Sequence, residues 1–327
     1  MSWFFNSDFE DYLKSSQNSY SVQSNKKNQE FEYFILWLED ESLFSLKKYD
    51  EQYLEFINRF NTNKVTTKKE NLKLWCCEVT DKEKQRLSNS KIETSKFGIE
   101  HALCHQSTEI IQEVEQYKDG YLYKEAFGVS GSGNYTYSEQ RKINLPLVKE
   151  KILERTFDFS TLIIGDKVEI YQNHIDNYYQ YRGTTIGLNF EYFDWIDDYK
   201  KSIELIKNKF QIDNLPMSID SFLYEENNAE KCYVLSEVNN RKTMGYTAHK
   251  LKEKLFPKYR YSKLSLVPTK KSKNKLSQEE IYKFFDEKII LLSPVDTFFS
   301  TFMIAEDSLG ELNELEDLLF STFFIDL

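Results

Sequence analysis

Residues 121–133 read YLYKEAFGVSGSG and gather three of the chain's ten glycines, Gly128, Gly131 and Gly133, just after a strand-like run that ends at Lys124. Glycine lacks a Cβ, so backbone N–H groups in such a loop can approach phosphate oxygens, and a lysine on the adjoining strand supplies compensating charge. The stretch suits a nucleotide phosphate cradle and equally a flexible hairpin loop. Two common cradles do not fit. In GxxxxGK[ST] the lysine follows the glycines, and GxGxxG has a different spacing from the GxxGxG found here. The choice rests on residues farther along.

Those residues follow in a consistent order. Residues 148–153, VKEKIL, are strand-like and hold Glu150; Asp158-Phe159-Ser160 opens the next strand; Ser218-Ile219-Asp220 comes later, and residues 235–241 read LSEVNNR. Glu237 and Asn239 are two apart, so on a strand both side chains leave the same face. Carboxylate and amide oxygens are hard donors, and Mg²⁺ shared with nucleotide phosphates is commonly held by only one or two carboxylates. Asp220, Glu237 and Asn239 have the chemistry for such a site.

Taken together, these motifs resemble the ATP-grasp superfamily across about residues 88–255, roughly half of the chain. The resemblance implies an α+β (α/β) fold in which two α+β subdomains grip a nucleotide, preceded by a small α/β N-terminal domain. It implies ATP and Mg²⁺ (or Mn²⁺) as cofactors. Lys91 is similar to the family's first ATP lysine, with Lys96 as the alternative, and Lys124 matches the second. Gly128, Ser130, Gly131, Ser132 and Gly133 match the mobile loop that closes on the phosphates. Glu150, Lys151, Ile152 and Leu153 resemble the hinge that binds adenine, and Asp158 the acid that binds ribose. Asp220, Glu237 and Asn239 match the metal ligands, and Arg241 an arginine that holds phosphate or acyl phosphate. The chain departs from the pattern twice. Glu125 stands where many members have proline, and Asn240 replaces a small residue or proline.

The reaction implied is ADP-forming: ATP phosphorylates a carboxylate, and an amine or a thiol displaces phosphate from the acyl phosphate. Two alternatives share the fold, a kinase that phosphorylates a small molecule and stops, and a catalytically silent nucleotide-binding regulator. Phosphoryl transfer is mainly positioning and charge neutralisation, so lysines, a metal and backbone N–H groups suffice without a protein nucleophile. Arg182 is a candidate clamp for a substrate carboxylate, because its planar fork matches that geometry. A surface arginine in a turn is the plainer reading.

Around this core the organisation reads as residues 1–88, an N-terminal α/β domain; 89–260, the ATP-grasp core with a glycine-loop subdomain at about 107–153; and 261–327, a C-terminal extension packing on the core. Helical texture is expected through residues 31–60, 91–114 and 195–210, the second broken by a turn near 105–108 and resumed as a helix capped by Ser107 or Thr108. Strands are expected at 72–79, 121–126, 147–153, 159–164, 167–171, 217–224 and 233–238, with a hairpin at Gly165-Asp166 and loops at 61–71 and 225–231.

The 327 residues carry 43 Lys+Arg against 53 Asp+Glu, a formal charge of −10, which argues against capture of nucleic acid or an anionic membrane by the surface as a whole. The basic run 250–275 reads as a solvated face balancing acid elsewhere. No apolar run approaches the roughly 20 residues of a membrane span. The start MSWFFNSDFEDYL has no basic n-region, and the cysteines Cys76, Cys77, Cys104 and Cys232 have no metal or disulfide spacing, so a reducing, cytoplasmic location is expected. His101 and His105, four apart, lack further ligands for a metal. The expected partners are small-molecule or peptide carboxylates and amines, the protein being a monomer or homodimer. The aromatic-rich tail 298–324 is read as packing on the core.

Overall fold

The fold was analysed in a computed structural model, which describes residues 1–17, 19–23, 25–62, 64–69, 71–78, 81–113, 118–128, 133–136, 145–177, 179–274 and 277–325. Strands β1 (Ser2–Phe4), β2 (Ser42–Phe44), β3 (Val65–Thr66) and β4 (Leu72–Leu74) form a parallel sheet in the order β3-β2-β1-β4. Parallel pairing needs crossovers, and short helices Phe9–Lys14, Lys26–Phe31, Phe34–Leu38 and Glu51–Ile57 lie between the strands. The helical pattern expected across 31–60 is thus interrupted by β2, and the 61–71 loop contains β3. Periodicity over short, aromatic-rich segments does not separate helix from buried strand.

A second, antiparallel sheet contains β5 (Glu109–Ile111), β6 (Tyr121–Lys124), β7 (Asn134–Tyr135) and β8 (Leu147–Lys151), in the order β5-β8-β6-β7. Here the helix expected after Ser107 is corrected: residues 109–111 form a strand because Glu109, Ile110 and Ile111 pair with Lys149, Val148 and Leu147. Ser107 bonds His105 and the Lys151 N–H instead of capping a helix. The glycine stretch is the connection of the β6–β7 hairpin, closed where Glu125 N–H donates to the Gly133 carbonyl at 2.8 Å. Gly133 has φ +82, which favours glycine, and a Cβ there would stand 3.0 Å from the Phe127 carbonyl oxygen.

The third sheet has eight antiparallel strands: β9 (Glu154–Ile164), β10 (Lys167–Ile175), β11 (Tyr181–Ile186), β12 (Met217–Glu226), β13 (Ala229–Asn240), β14 (Tyr261–Pro268), β15 (Ile289–Leu291) and β16 (Phe299–Glu306). Their order is β13-β12-β9-β10-β11-β14-β16-β15. Gly165-Asp166 forms the β9–β10 turn, and Asn227-Asn228, with φ +56 and +60, forms a two-residue turn between β12 and β13. Strands β14 to β16 belong to this sheet, so the C-terminal extension expected over 261–327 contributes three strands to it.

Helix Ile196–Phe210 covers one face of the sheet with Tyr199, Ile203, Ile206 and Phe210, one apolar stripe at helical spacing. Helix Met244–Leu255 packs so close to β10 that a Cβ on Gly245 would collide with the Tyr171 ring. The tail also packs: Phe302, Leu312, Leu319 and Phe324 share a core. The N-terminal unit is tied to C-terminal strands by Tyr33 OH to Thr301 (2.7 Å) and by Trp37 and Tyr53 to the Leu292 carbonyl (2.8 and 2.6 Å). These buried bonds seat that unit against the large sheet and give the site its third wall.

Within the 250–275 run, Lys250 pairs with Glu253 and the partly buried Lys263 with Glu316. The four cysteines are free thiols, Cys76 and Cys77 buried. Among the described residues no helix is long and apolar enough to cross a membrane.

Candidate active site

A cavity of about 520 Å³ lies among the three sheets. It is lined by Lys91, Lys124, Asp158, Arg182, Asp220, Glu237, Asn239 and Arg241, which the chain spreads over 151 positions. Register explains much of the convergence. Asp220 on β12 is directly opposite Glu237 on β13 and Ser160 on β9, and Asn239 is two residues beyond Glu237 on the same face. A bulge opposite Asp220–Phe222 re-aims β13, and Ser236 within it reaches Lys124 Nζ at 3.4 Å.

The carboxylates at this end are held by hydrogen bonds and by neighbouring cations. Asp220 accepts from Ser160 Oγ (2.6 Å) and Asn239 Nδ2 (3.2 Å), and Lys91 Nζ stands 3.7 Å from Glu237. Burial raises the Asp220 pKa, which Ser160, Arg241 and Lys91 oppose. Burial also pushes Glu237 up to about 6, against Lys91, while Asp220 and Glu10 add to the rise. Asp158 is raised by burial against the pull of Arg155, its partner at 2.8 Å. Two adjacent, partly buried carboxylates and an amide oxygen are a hard, electron-rich set, so Asp220, Glu237 and Asn239 fit a divalent cation that shares its shell with phosphate. The Asn239 oxygen also accepts from Arg241 Nη2 at 2.9 Å. Among the described residues no group of three His, Cys, Asp or Glu has a metal-holding arrangement. His105 bonds Glu226 and Ser107, and His101 packs on Phe97.

The raised Glu237 has a measurable consequence. Its folded form keeps a proton from the ordinary value of 4.5 up to about 6, so this group stabilises the fold below that window and the contribution is lost as pH rises through it. The loss is about 2 kcal/mol at most. Urea unfolding of wild type and Glu237→Gln at pH 4.5 to 7 is expected to show that fall only in the wild type. Glu32, pushed to about 7 by burial, titrates in both proteins and cancels in the difference, which reports Glu237 together with the Asp220 coupled to it.

Lys91 opens helix Lys91–Glu100, whose N-cap Ser90 accepts from Glu93 N–H, and its ammonium donates to the Gly128 carbonyl at 3.0 Å. Lys96 instead points to solvent with Glu93. Lys124 forms a buried ion pair with Glu150, which also accepts from Tyr233 OH at 2.9 Å. The expected hinge therefore does not line the cavity: Glu150 is engaged by Lys124, Ile152 N–H donates to the Gly120 carbonyl, and Leu153 packs with Phe222, Tyr224 and Tyr233. Gly128 and Gly133 frame the glycine loop; Ser130, Gly131 and Ser132 lie outside the described residues. Arg182 is at the cavity edge, paired with Asp176 at 2.5 Å and stacked on Phe299.

Both departures from the motif pattern have structural outlets. Glu125 turns away from Lys124 and bonds Tyr135 OH (3.0 Å). Asn240 donates its N–H to Asn89 Oδ1 at 2.7 Å, a bond proline cannot make. The sequence reading missed Glu10. Its buried carboxylate accepts from Gly128 N–H (2.9 Å) and Arg241 Nη2 (2.8 Å), joining the N-terminal helix, the glycine loop and the β13 arginine. Nothing in its local sequence marks it. Ser160 was the more legible omission, since it shares the DFS triplet with Asp158.

Structural comparison relates the fold to those of solved structures. The chain aligns with N5-carboxyaminoimidazole synthetase from Staphylococcus aureus complexed with ADP at TM-score 0.52 and 8% identity, covering 86% of this chain and 89% of that one. Carboxyaminoimidazole ribonucleotide synthase from Aspergillus clavatus complexed with ATP aligns at 0.51 and 10%, covering 97% and 90%. The fold is ATP-grasp. The synthetase from Thermus thermophilus gives 0.52 and 10% over 88% and 82%. No family profile and no curated protein matches by sequence. At these identities the likeness concerns the ATP-grasp fold, while the chemistry must be argued from the site.

Proposed function

We propose that the protein is an ATP-dependent, ADP-forming ligase that joins a small-molecule carboxylate to an amine. The observation that carries this reading is the convergence of Lys91, Lys124 and Arg241 on one cavity with Asp220, Glu237 and Asn239. Bound ATP with Mg²⁺ supplies the phosphoryl group and offsets its charge. The nucleotide complexes of the structural neighbours support the choice of ligand.

The chain's own residues do the positioning. In this reading Lys91 and Lys124 pair with phosphate oxygens, and Asp220, Glu237 and Asn239 would hold the metal. Arg241 orients the γ-phosphate or the acceptor carboxylate with its planar fork. In the reaction a carboxylate oxygen attacks the γ-phosphorus and ADP leaves; the amine then attacks the acyl carbon, phosphate leaves, and the amine loses a proton. Three walls around the cavity limit the water that would hydrolyse the acyl phosphate.

Calorimetric titration with ATP tests the nucleotide assignment. Binding that requires Mg²⁺ is expected, and absence of binding with Mg²⁺ present would overturn the ligase reading. Product analysis then separates the chemistries. A ligase releases ADP and phosphate in equal amounts with a new amide, whereas a kinase releases ADP and retains the phosphate on its acceptor.

A further inference from the structure

The cavity is longer than its carboxylate end requires. Its lining continues along the large sheet from β13 and β12 through β9, β10 and β11 to β14 and β16. Those six inter-strand steps span about 29 Å at about 4.8 Å each. The acidic donors Asp220, Glu237 and Asn239 lie over the first two strands only. At the other end the walls are Ile175, Tyr181, Leu266 and Phe299, faced by Phe31 from the N-terminal unit. Phe31 and Phe299 lie nearly parallel, with centroids 6.4 Å apart and planes 13° apart.

Charge at this end is already compensated. Arg182 pairs with Asp176 at 2.5 Å and Lys27 with Asp11 at 3.3 Å. The Arg182 guanidinium lies 5.3 Å from the Phe299 ring centroid, a flat cation and a flat ring of the kind that attract aromatic faces. An uncharged ring gains from both surfaces without breaking an ion pair.

We propose that the acceptor carries an uncharged aromatic group, which lies over β11 to β16 against Phe299 and the guanidinium of Arg182. That this group belongs to the acceptor rests on the ligase reading; the preference for an aromatic group rests on the far wall alone.

The test is calorimetry on the full chain, with and without Mg·ADP, using 3-phenylpropionate, glutarate and 3-phosphonopropionate as probes. 3-Phenylpropionate is expected to bind at least about tenfold more tightly than either dianionic acid. Phe299→Ala is expected to remove that margin, and Phe299→Trp to keep it. Circular dichroism checks folding, and Phe31→Ala gives the same reading from the facing wall if Phe299→Ala unfolds. Equal affinities for the three acids, a preference for glutarate or the phosphonate, no binding of 3-phenylpropionate, or an unchanged margin in both alanine variants would overturn the proposal. Failure of Mg·ATP to bind the wild type would overturn the ligase reading instead, and the acid affinities would still decide the aromatic preference.

Discussion

Glu237→Gln is expected to reduce Mg²⁺-dependent ATP turnover by about 100-fold or more while leaving the protein folded. The substitution preserves shape and removes one charge from a pair of opposed carboxylates, Asp220 and Glu237, whose strands hold them in direct register. Loss of a charge that anchors a cation at the reacting phosphate removes several kcal/mol of transition-state stabilisation. The same change relieves a cost in the free protein, since burial pushes the Glu237 pKa up to about 6. Above pH 7 the free variant should therefore be at least as stable as the wild type, so inactivity cannot be attributed to unfolding. ADP release together with thermal unfolding at pH 7.5 checks both parts. Turnover within threefold of wild type would remove Glu237 from the reaction.

Lys124→Ala is expected to carry two separable penalties. The first is weaker Mg·ATP binding, by about tenfold or more, from loss of a charge-assisted contact to phosphate. The second is stability. Lys124 and Glu150 are both buried, with side-chain exposures of 7% and 5%, and they pair with each other. Removing the lysine leaves a buried carboxylate with Tyr233 OH and no cation, a change that costs about 3–5 kcal/mol in comparable sites. Lys124→Ala/Glu150→Gln should recover most of the lost stability and none of the lost nucleotide affinity. Urea denaturation and ATP calorimetry on both variants make the comparison. If the double variant regains ATP binding, Lys124 acts only as the partner of Glu150 and not on phosphate.

The buried ion pair also shows what one-dimensional reading leaves out. The strand ending at Lys124 and the strand holding Glu150 were both legible, but Leu122 pairs opposite Glu150, which puts Lys124 on the diagonal to that carboxylate. A residue that matches an adenine hinge by motif is therefore turned onto the lysine, and the neighbouring Ile152 N–H is bonded to Gly120. Arg182 was legible as an arginine near a turn; its partner Asp176 and its ring contact with Phe299 were not, because Phe299 lies on a strand two places across the sheet. Glu10 had no signal of any kind. Its role depends on the N-terminal unit being seated beside the glycine loop by bonds from Tyr33, Trp37 and Tyr53 to residues more than 230 positions away.

What the sequence determined by itself is local and ordered: the glycine loop after Lys124, the turn at Gly165-Asp166, the apolar stripe of helix Ile196–Phe210, and the two-residue spacing of Glu237 and Asn239. Each follows from backbone freedom or side-chain period within a few residues, and together with their order they were enough to indicate ATP-grasp architecture. Tertiary structure alone decided which of those residues share a cavity, how each charge is compensated, and that strands from both sides of residue 260 form one sheet. Those outcomes depend on register across strands and on contacts between distant segments, where a shift of one residue turns a side chain to the opposite face.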